Sequence, residues 1–419
     1  MLSPYRRLFE APGAAAFAGA GFVSRIPLSM TGIGIVTMLS QMRGSYRLAG
    51  AVTAIMMVSG AALSPQVSRL VDRFGQRRVA LPATAITVAA LAALLLLARL
   101  DAPDWTLFLA VVPLGCQPTF GSMVRARWRH IYRADPQRLH TAYSFESVVD
   151  ELCFIAGPIL AVGLSTALFP EAGVLVSAMF LAVGAVLFCA QRGTEPPVGP
   201  NDGEKRPSAI RSPGLRVLML TFAATGAIFG AVDVVTVAFA EDQGHKALAS
   251  VVLAVYALGS CIAGIVFGLV KPRGRASSRF LVGVVVMAAS MVPLVFVTNL
   301  WWVAGALFLA GLSVAPTLVT TMSLVEQFVP DGQLTEGMSW TMTGMALGVA
   351  AGSSIGGAVV DAHGAEAGYL LPLGAASLAA LIALSGTYWL RRPRPSGAET
   401  HFGPDTALPQ ARAEMNESG

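Results

Sequence analysis

The chain is predicted to be all-α and membrane-embedded, with twelve spanning helices arranged as two six-helix bundles. Three observations predict this. The sequence is 54% apolar and only 13% charged, with a mean hydropathy of +0.64, whereas a soluble domain carries about a quarter charged residues. Apolar stretches of about 20 residues or more recur along the chain, each long enough to cross a hydrocarbon core of ~30 Å at ~1.5 Å per residue. A polar, proline-containing break divides them at mid-chain. Backbone groups in lipid must pair internally, so spans of this length are helices.

The expected spans, in order, are 12–40, 46–70, 77–99, 104–133, 139–168 and 170–192, then 212–241, 246–271, 277–297, 299–329, 333–362 and 366–391. The first follows a basic start but runs well past a signal-peptide core and carries Arg25, so it reads as a retained helix. Residues 1–192 and 212–391 form the two bundles. Residues 193–211, with Pro196-Pro197 and Ser212-Pro213 at either end, read as a solvated linker, and 392–419 as a disordered tail.

The net charge of +5 follows the loops. Arg69, Arg73, Arg77 and Arg78, then Arg125 to Arg138, Lys205 to Arg216, and Lys271 to Arg279 fall on one side, and Arg43, Arg47, Arg99 and Lys246 on the other. This asymmetry predicts cytoplasmic termini in a multi-pass protein of the plasma (cytoplasmic) membrane. It also accounts for the arginines without nucleic acid. Cys116, Cys153, Cys189 and Cys261 lie inside apolar segments and read as small hydrophobes rather than disulfides or metal ligands.

The halves resemble each other. A shift of 195 residues lays Leu139 on Leu334, Ser144 on Ser339, Leu152 on Leu347 and Ala156-Gly157 on Ala351-Gly352. One helix earlier, Leu114 through Pro118-Thr119 resembles Leu312 through Pro316-Thr317. A six-plus-six design that rocks about a midplane site fits this pattern.

The loop after the second helix runs Ser68-Arg69-Leu70-Val71-Asp72-Arg73-Phe74-Gly75-Gln76-Arg77-Arg78. Gly75 permits a tight turn, and Arg73, Arg77 and Arg78 sit where anionic headgroups attract cations. Acid, glycine and basic pair fall at the spacing G-x-x-x-D-R-x-G-R-R, with Ser68 in place of the first glycine. On this loop, the repeated spans and the mid-chain break, the chain resembles the major facilitator superfamily of secondary transporters. The resemblance implies alternating access between the halves. It implies that Asp72 locks the inner gate, with Arg125 and the start of the eleventh helix as candidate partners. At the matching point of the second half, Gly264 through Gly274 has no acid, so a second lock there is expected to be degenerate.

Ionisable residues inside a membrane call for an explanation, because burying a charge there costs several kcal/mol. The fifth helix carries Glu146, Asp150 and Glu151. Glu146 and Asp150, four apart, share a face, and Glu151 points about 100° away. Asp150 and Arg25 each lie roughly half-way through their spans, about 16 Å deep for Asp150. In the family these helices are neighbours, so an Arg25–Asp150 or Arg25–Glu151 pair is expected. Such a pair either fixes two helices or holds a carboxyl that exchanges a proton for substrate, Asp150 being the expected carrier. The repeat places Thr341, Met345 and Ala346 at these acids, so the shared fold does not require them. Asp233 is a second candidate for proton or cation binding. Glu326 and Glu336 are expected near the inner gate, and Asp361 at a helix end.

Gly157-Pro158 partly matches the G-x-x-x-G-P-x-x-G-G pattern of efflux-type members, with Cys153 and Ala161-Val162 replacing glycines. Efflux members often carry an arginine four residues before a glycine in the fourth helix, where this chain has Val111. Gly352-Ser353-Ser354-Ile355-Gly356 has the spacing of a serine-hydrolase elbow but lies mid-helix, so no enzyme is expected. Phe120, Tyr143, Phe145 and Trp340 are expected to line an aromatic cavity. Arg25-Ile26-Pro27, Ser144-Phe145-Glu146 and Thr335-Glu336-Gly337 look like exporter-like members common in actinobacteria. The expected function is proton-coupled efflux of a small hydrophobic or cationic molecule, by a monomer in the lipid bilayer, driven by the proton gradient without a cofactor. Uptake or uniport of a polar metabolite is the alternative. A transporter-like receptor or lipid-handling protein is another.

Overall fold

The computed structural model describes residues 3–198, 207–245, 248–271, 273–296 and 298–391. The expected tail at 392–419, Lys246 and residues 199–206 of the expected linker lie outside the described residues. Within them, twelve helices are long and apolar enough to cross a membrane. These are α1 (Ala14–Arg43), α2 (Tyr46–Phe74), α3 (Gln76–Arg99), α4 (Asp104–Ile131), α5 (Pro136–Ala167) and α6 (Ala172–Ala190). After the linker come α7 (Pro213–Asp242), α8 (Leu248–Leu269), α9 (Ala276–Phe296), α10 (Leu300–Phe328), α11 (Leu334–His363) and α12 (Ala365–Ser385). Among the described residues every regular element is helical.

Local chemistry sets the boundaries. Ser45, Asp135 and Asn299 each accept the N–H three residues on, at 3.2, 3.0 and 2.9 Å, and so start α2, α5 and α10. Gly75, at φ +94°, makes the sharp turn between α2 and α3. The expected unbroken fourth helix is interrupted. A 3-10 turn at Val112–Cys116 gives way to non-helical Gln117–Thr119 before the chain resumes at Phe120. Pro113 and Pro118 withhold amide donors there, and the carbonyl of Val112 is met by Ser59 Oγ at 2.5 Å. Gly115 is obligatory in this break, since a Cβ would fall 2.5 Å from the Ser59 backbone.

In the first half α1 packs on α5 and α6, and in the second α7 packs on α11 and α12. The halves meet along α2–α11 and α5–α8. Hydrogen bonds that join them run from the end bearing the linker up to mid-height. They include Tyr5 Oη to the Ile265 carbonyl and Thr141 Oγ1 to the Gly268 carbonyl, both at 2.8 Å, and Ser64 to Ser339 at 3.3 Å. We call this end the linker face. Leu70, Ile159, Val266, Leu309 and Leu381 are exposed on the outer surface, as are Trp105, Trp301 and Trp389 near helix ends, where aromatic rings suit a membrane interface.

Candidate transport site and gate

Arg25 projects from α1 into the first bundle and is 4% exposed. Its guanidinium pairs with Glu146 at 2.6 Å and Asp150 at 2.9 Å, and its Nε donates to the Gly21 carbonyl at 3.1 Å. Arg125 of α4 completes the group by donating to the other Asp150 oxygen at 2.5 Å. Trp128 Nε1 donates to Glu146 at 2.6 Å. Two arginines and two carboxylates thus balance inside the bundle. That balance is what buried charge requires, because an unpaired ion here would carry its full desolvation cost. Gly121 makes room for both cations: a Cβ there would stand 3.2 Å from the Arg125 guanidinium and 3.3 Å from Arg25 Cδ.

The expected pairing of Arg25 with Asp150 is present, with Glu146 added. Arg125 does not partner Asp72; it is committed to Asp150, a helix away from the gate loop. Glu151 turns toward the other half, where Ser260 Oγ of α8 donates to it at 2.6 Å. Asp233 of α7 is exposed and has no hydrogen bond or ion pair among the described residues.

The residues expected to form the inner gate lie at the linker face. Asp72 accepts the backbone N–H groups of Thr335 at 3.2 Å and Glu336 at 2.8 Å. A carboxylate thereby caps the positive N-terminus of α11 from across the molecule. The rest of the loop motif serves geometry and the surface. Arg73 lies over the Phe74 ring at 5.1 Å, and the Arg77 backbone N–H donates to Glu195 of the linker at 2.9 Å. Arg73 and Arg78 are exposed. Ser68, in the glycine position, is buried and bonds Thr119 at 2.9 Å.

A second acid joins the halves here, outside the Gly264–Gly274 segment, which has no acid. Glu326 of α10 accepts the Tyr143 hydroxyl and lies 3.5 Å from Arg129, both residues of the first half. Each half therefore lends one acid to the other. The Gly264–Gly274 segment contributes carbonyls instead, to Tyr5, Thr141 and His140. Glu336, the other acid expected near the inner gate, turns its carboxylate to the linker. It holds the linker to α11 by accepting from Ser208 and, at 3.0 Å, the Ala209 N–H.

The four aromatic residues do not assemble into a cavity wall. Phe120 is 2% exposed and packs edge-on against Phe188, with ring centroids 5.6 Å apart. Tyr143 donates its hydroxyl to Glu326. Phe145 packs on Phe9 at 5.4 Å, and Trp340 donates to Glu336 at 3.4 Å. Helical spacing of aromatics reflected packing here.

The profile described as Major Facilitator Superfamily matches residues 17–278 and 237–413. No curated protein matches the sequence. Among solved structures, a bacterial homologue of the iron transporter ferroportin, crystallised in an outward-facing state, superposes with a TM-score of 0.72 at 16% identity, covering 90% of this chain and 99% of that one. The human organic anion transporter MFSD10 gives 0.68 at 16% identity, over 90% and 99%. The fucose:proton symporter of E. coli gives 0.65 at 13% identity, over 89% and 98%. At such identities the likeness concerns the fold. With the family profile covering nearly the whole chain, and twelve helices among the described residues long and apolar enough to cross a membrane, this protein belongs to the major facilitator superfamily of membrane transporters.

Proposed function

We propose that this protein exports a small hydrophobic or cationic molecule from the cytoplasm in exchange for protons, by alternating access. It would reside in the cytoplasmic membrane with the linker face and both termini inside. The contacts of the two crossed acids, which join the halves at the linker face, support reading this arrangement as an outward-facing stage of the cycle. The observation that carries the coupling is the placement of Glu151. It lies half-way along α5, at the boundary between the halves, with a serine hydroxyl of the opposite half as its bonding partner and no arginine.

Asp150, the carrier expected from the sequence, is the poorer exchanger, because two guanidinium groups hold its two oxygens. Its part is to position α5 against α1 and α4. Glu151 is faced from α8 by Ser260, Tyr256 and Cys261, and Asp233 of α7 is within electrostatic range of the same Tyr256. Rocking of α8 away from α5 would break the Ser260 contact and expose the carboxyl to the other face. Proton exchange would thus be tied to the conformational step.

The test is fluorescent-dye export from cells producing wild type, Glu151→Gln or Asp150→Asn, with and without a protonophore. Export by wild type that the protonophore abolishes and Glu151→Gln lacks supports the reading. Export retained by Glu151→Gln and lost in Asp150→Asn would return the proton to Asp150. Protonophore-insensitive export would remove the coupling altogether.

A further inference from the structure

We infer that Glu151 and Asp233, with Tyr256 and Phe229 beside them, form a binding site for an organic cation that spans both halves. This rests on the export reading for the direction of movement and goes beyond it in naming the chemical class of the cargo. The first argument is charge. At this depth the arginines Arg25 and Arg125 are already consumed by Glu146 and Asp150. Among the described residues Glu151 and Asp233 are left without a basic partner, one on each half. Unpaired carboxylates within a membrane mark a substrate or ion path.

The second argument is aromatic. Tyr256 and Ser260 are four apart on α8 and share a face, so the residue that binds Glu151 brings the tyrosine with it. Tyr256 is 8% exposed, its hydroxyl makes no hydrogen bond among the described residues, and it stands within electrostatic range of both Glu151 and Asp233. Phe229, one turn before Asp233 on α7, lies with its ring centroid 6.0 Å from that of Tyr256, inclined at 51°. Electron-rich ring faces next to two carboxylates are the chemistry that holds an alkyl- or arylammonium ion, through cation–π attraction added to ion pairing. An anionic cargo would meet repulsion from both acids, and a neutral one would leave them unpaired. Neither helix is free to drift from the site. Gly230 sets α7 against α11, where a Cβ would fall 2.1 Å from the Val349 carbonyl. Gly259 sets α8 against α10, where a Cβ would fall 2.4 Å from the Phe308 carbonyl.

Equilibrium binding of tetraphenylphosphonium, ethidium and tetraethylammonium to the purified full chain in detergent tests this, with benzoate as the anionic control. At least one cation should bind saturably and benzoate should not. Glu151→Gln and Asp233→Asn should each weaken that binding by ten-fold or more, Tyr256→Leu by several-fold, and Tyr256→Phe by less than three-fold. Asp233→Asn touches no partner, so it reports on charge even if a change at Glu151 perturbs folding. Binding of none of the three cations, or binding unaltered in Asp233→Asn and Glu151→Gln, overturns the inference. The measurement needs no gradient. Its failure would leave proton-driven export of another cargo standing, whereas protonophore-insensitive export would leave the cation site in place.

Discussion

The α1–α5 and α7–α11 contacts occupy the same place in the two halves and are held by opposite chemistries. Gly157 of α5 faces Ser29 of α1, and its repeat counterpart Gly352 of α11 faces Ala227 of α7. The 198-residue offset from Ser29 to Ala227 makes Ala223 the counterpart of Arg25. Around Arg25 the first half gathers Glu146 and Asp150. At Ala223 the second half brings backbone against backbone: Gly348 approaches the Ala223 carbonyl so closely that a Cβ would fall 1.9 Å from it. Gly344 meets the Met219 carbonyl likewise, and Gly226 meets that of Met345, at 2.5 and 2.1 Å. Small residues let the helices touch directly, the usual glue of membrane helices. The fold is satisfied without charge, so the charges of the first half answer another need.

The largest effect expected from breaking this contrast comes from Arg25→Met, which leaves Glu146 buried without its cation. Removing one member of a buried pair costs about 3–5 kcal/mol, so the purified protein should lose much of its thermal stability in detergent. Arg25→Met with Glu146→Gln should recover most of that loss. A double variant no more stable than the single one would show that the pair is not what the arginine supports.

On the second half, Gly348→Ala forces α7 and α11 apart, and overpacking of this kind costs about 1–3 kcal/mol. Gly157→Ala is the matched change on the first half. Its nearest obstacle, at 2.1 Å, is the Ser29 hydroxyl. That group can turn aside and forfeit its 2.7 Å bond to the Cys153 carbonyl, for about 0.5–1.5 kcal/mol. Melting temperatures of the two variants, compared directly, decide whether backbone contact is the stricter constraint.

The gate should respond more gently. Glu326→Gln keeps the Tyr143 contact but removes the charge facing Arg129, and Asp72→Asn removes the charge on the start of α11, worth about 0.3–1 kcal/mol. Either change should raise the inward-open population about two- to five-fold, read by labelling of a cysteine placed at Ser64. Labelling unchanged in both would mean that the seal rests on packing.

The smallest effect should come from Tyr5→Phe, which loses one hydrogen bond of the N-terminal segment to α8, about 0.5–1.5 kcal/mol. Burial pushes the Tyr5 phenol from its ordinary value of 10.0 up to about 12. A detached Tyr5 ionises first, so the strap should hold unchanged below pH 10 and weaken progressively between there and about 12. An accessibility of this segment that stays constant across that interval would argue against the contact.

Much of the fold was legible in the sequence because hydropathy and length act residue by residue. Each of the twelve spans could be read from its own apolar run, and Gly75 marked a turn by local chemistry. The break in α4 was less visible, since the same proline is absorbed without interruption in α10, where Pro316 lies inside the helix. What distinguishes them is the neighbour: Ser59 from α2 takes up the carbonyl at Val112. Arg125 was expected to partner Asp72, and only the approach of α4 to α5 assigns it to Asp150. Glu326 was recognisable as an acid near the inner end. Its partners, Tyr143 and Arg129, are separated from it by most of the molecule's middle, and no local signal joins them. The acids of α5 were found because isolated charge in an apolar run is rare. Which of them is tied and which is left facing the other half depends on the rotation of α5, which the spacing gave only relative to itself.

The exact cancellation of charge around Arg25 has an electrical consequence. Two guanidiniums and two carboxylates moving together carry no net charge, so the transmembrane voltage does almost no work on them. A lone charge crossing the membrane is worth about 2.3 kcal/mol per 100 mV. Among the described acids at this depth, the voltage therefore acts on Glu151, Asp233 and whatever they hold. If one monovalent cation leaves for each proton that enters, the cycle is electroneutral. Its driving force is then the pH difference alone, and collapsing the voltage with valinomycin and potassium should leave the rate where it was.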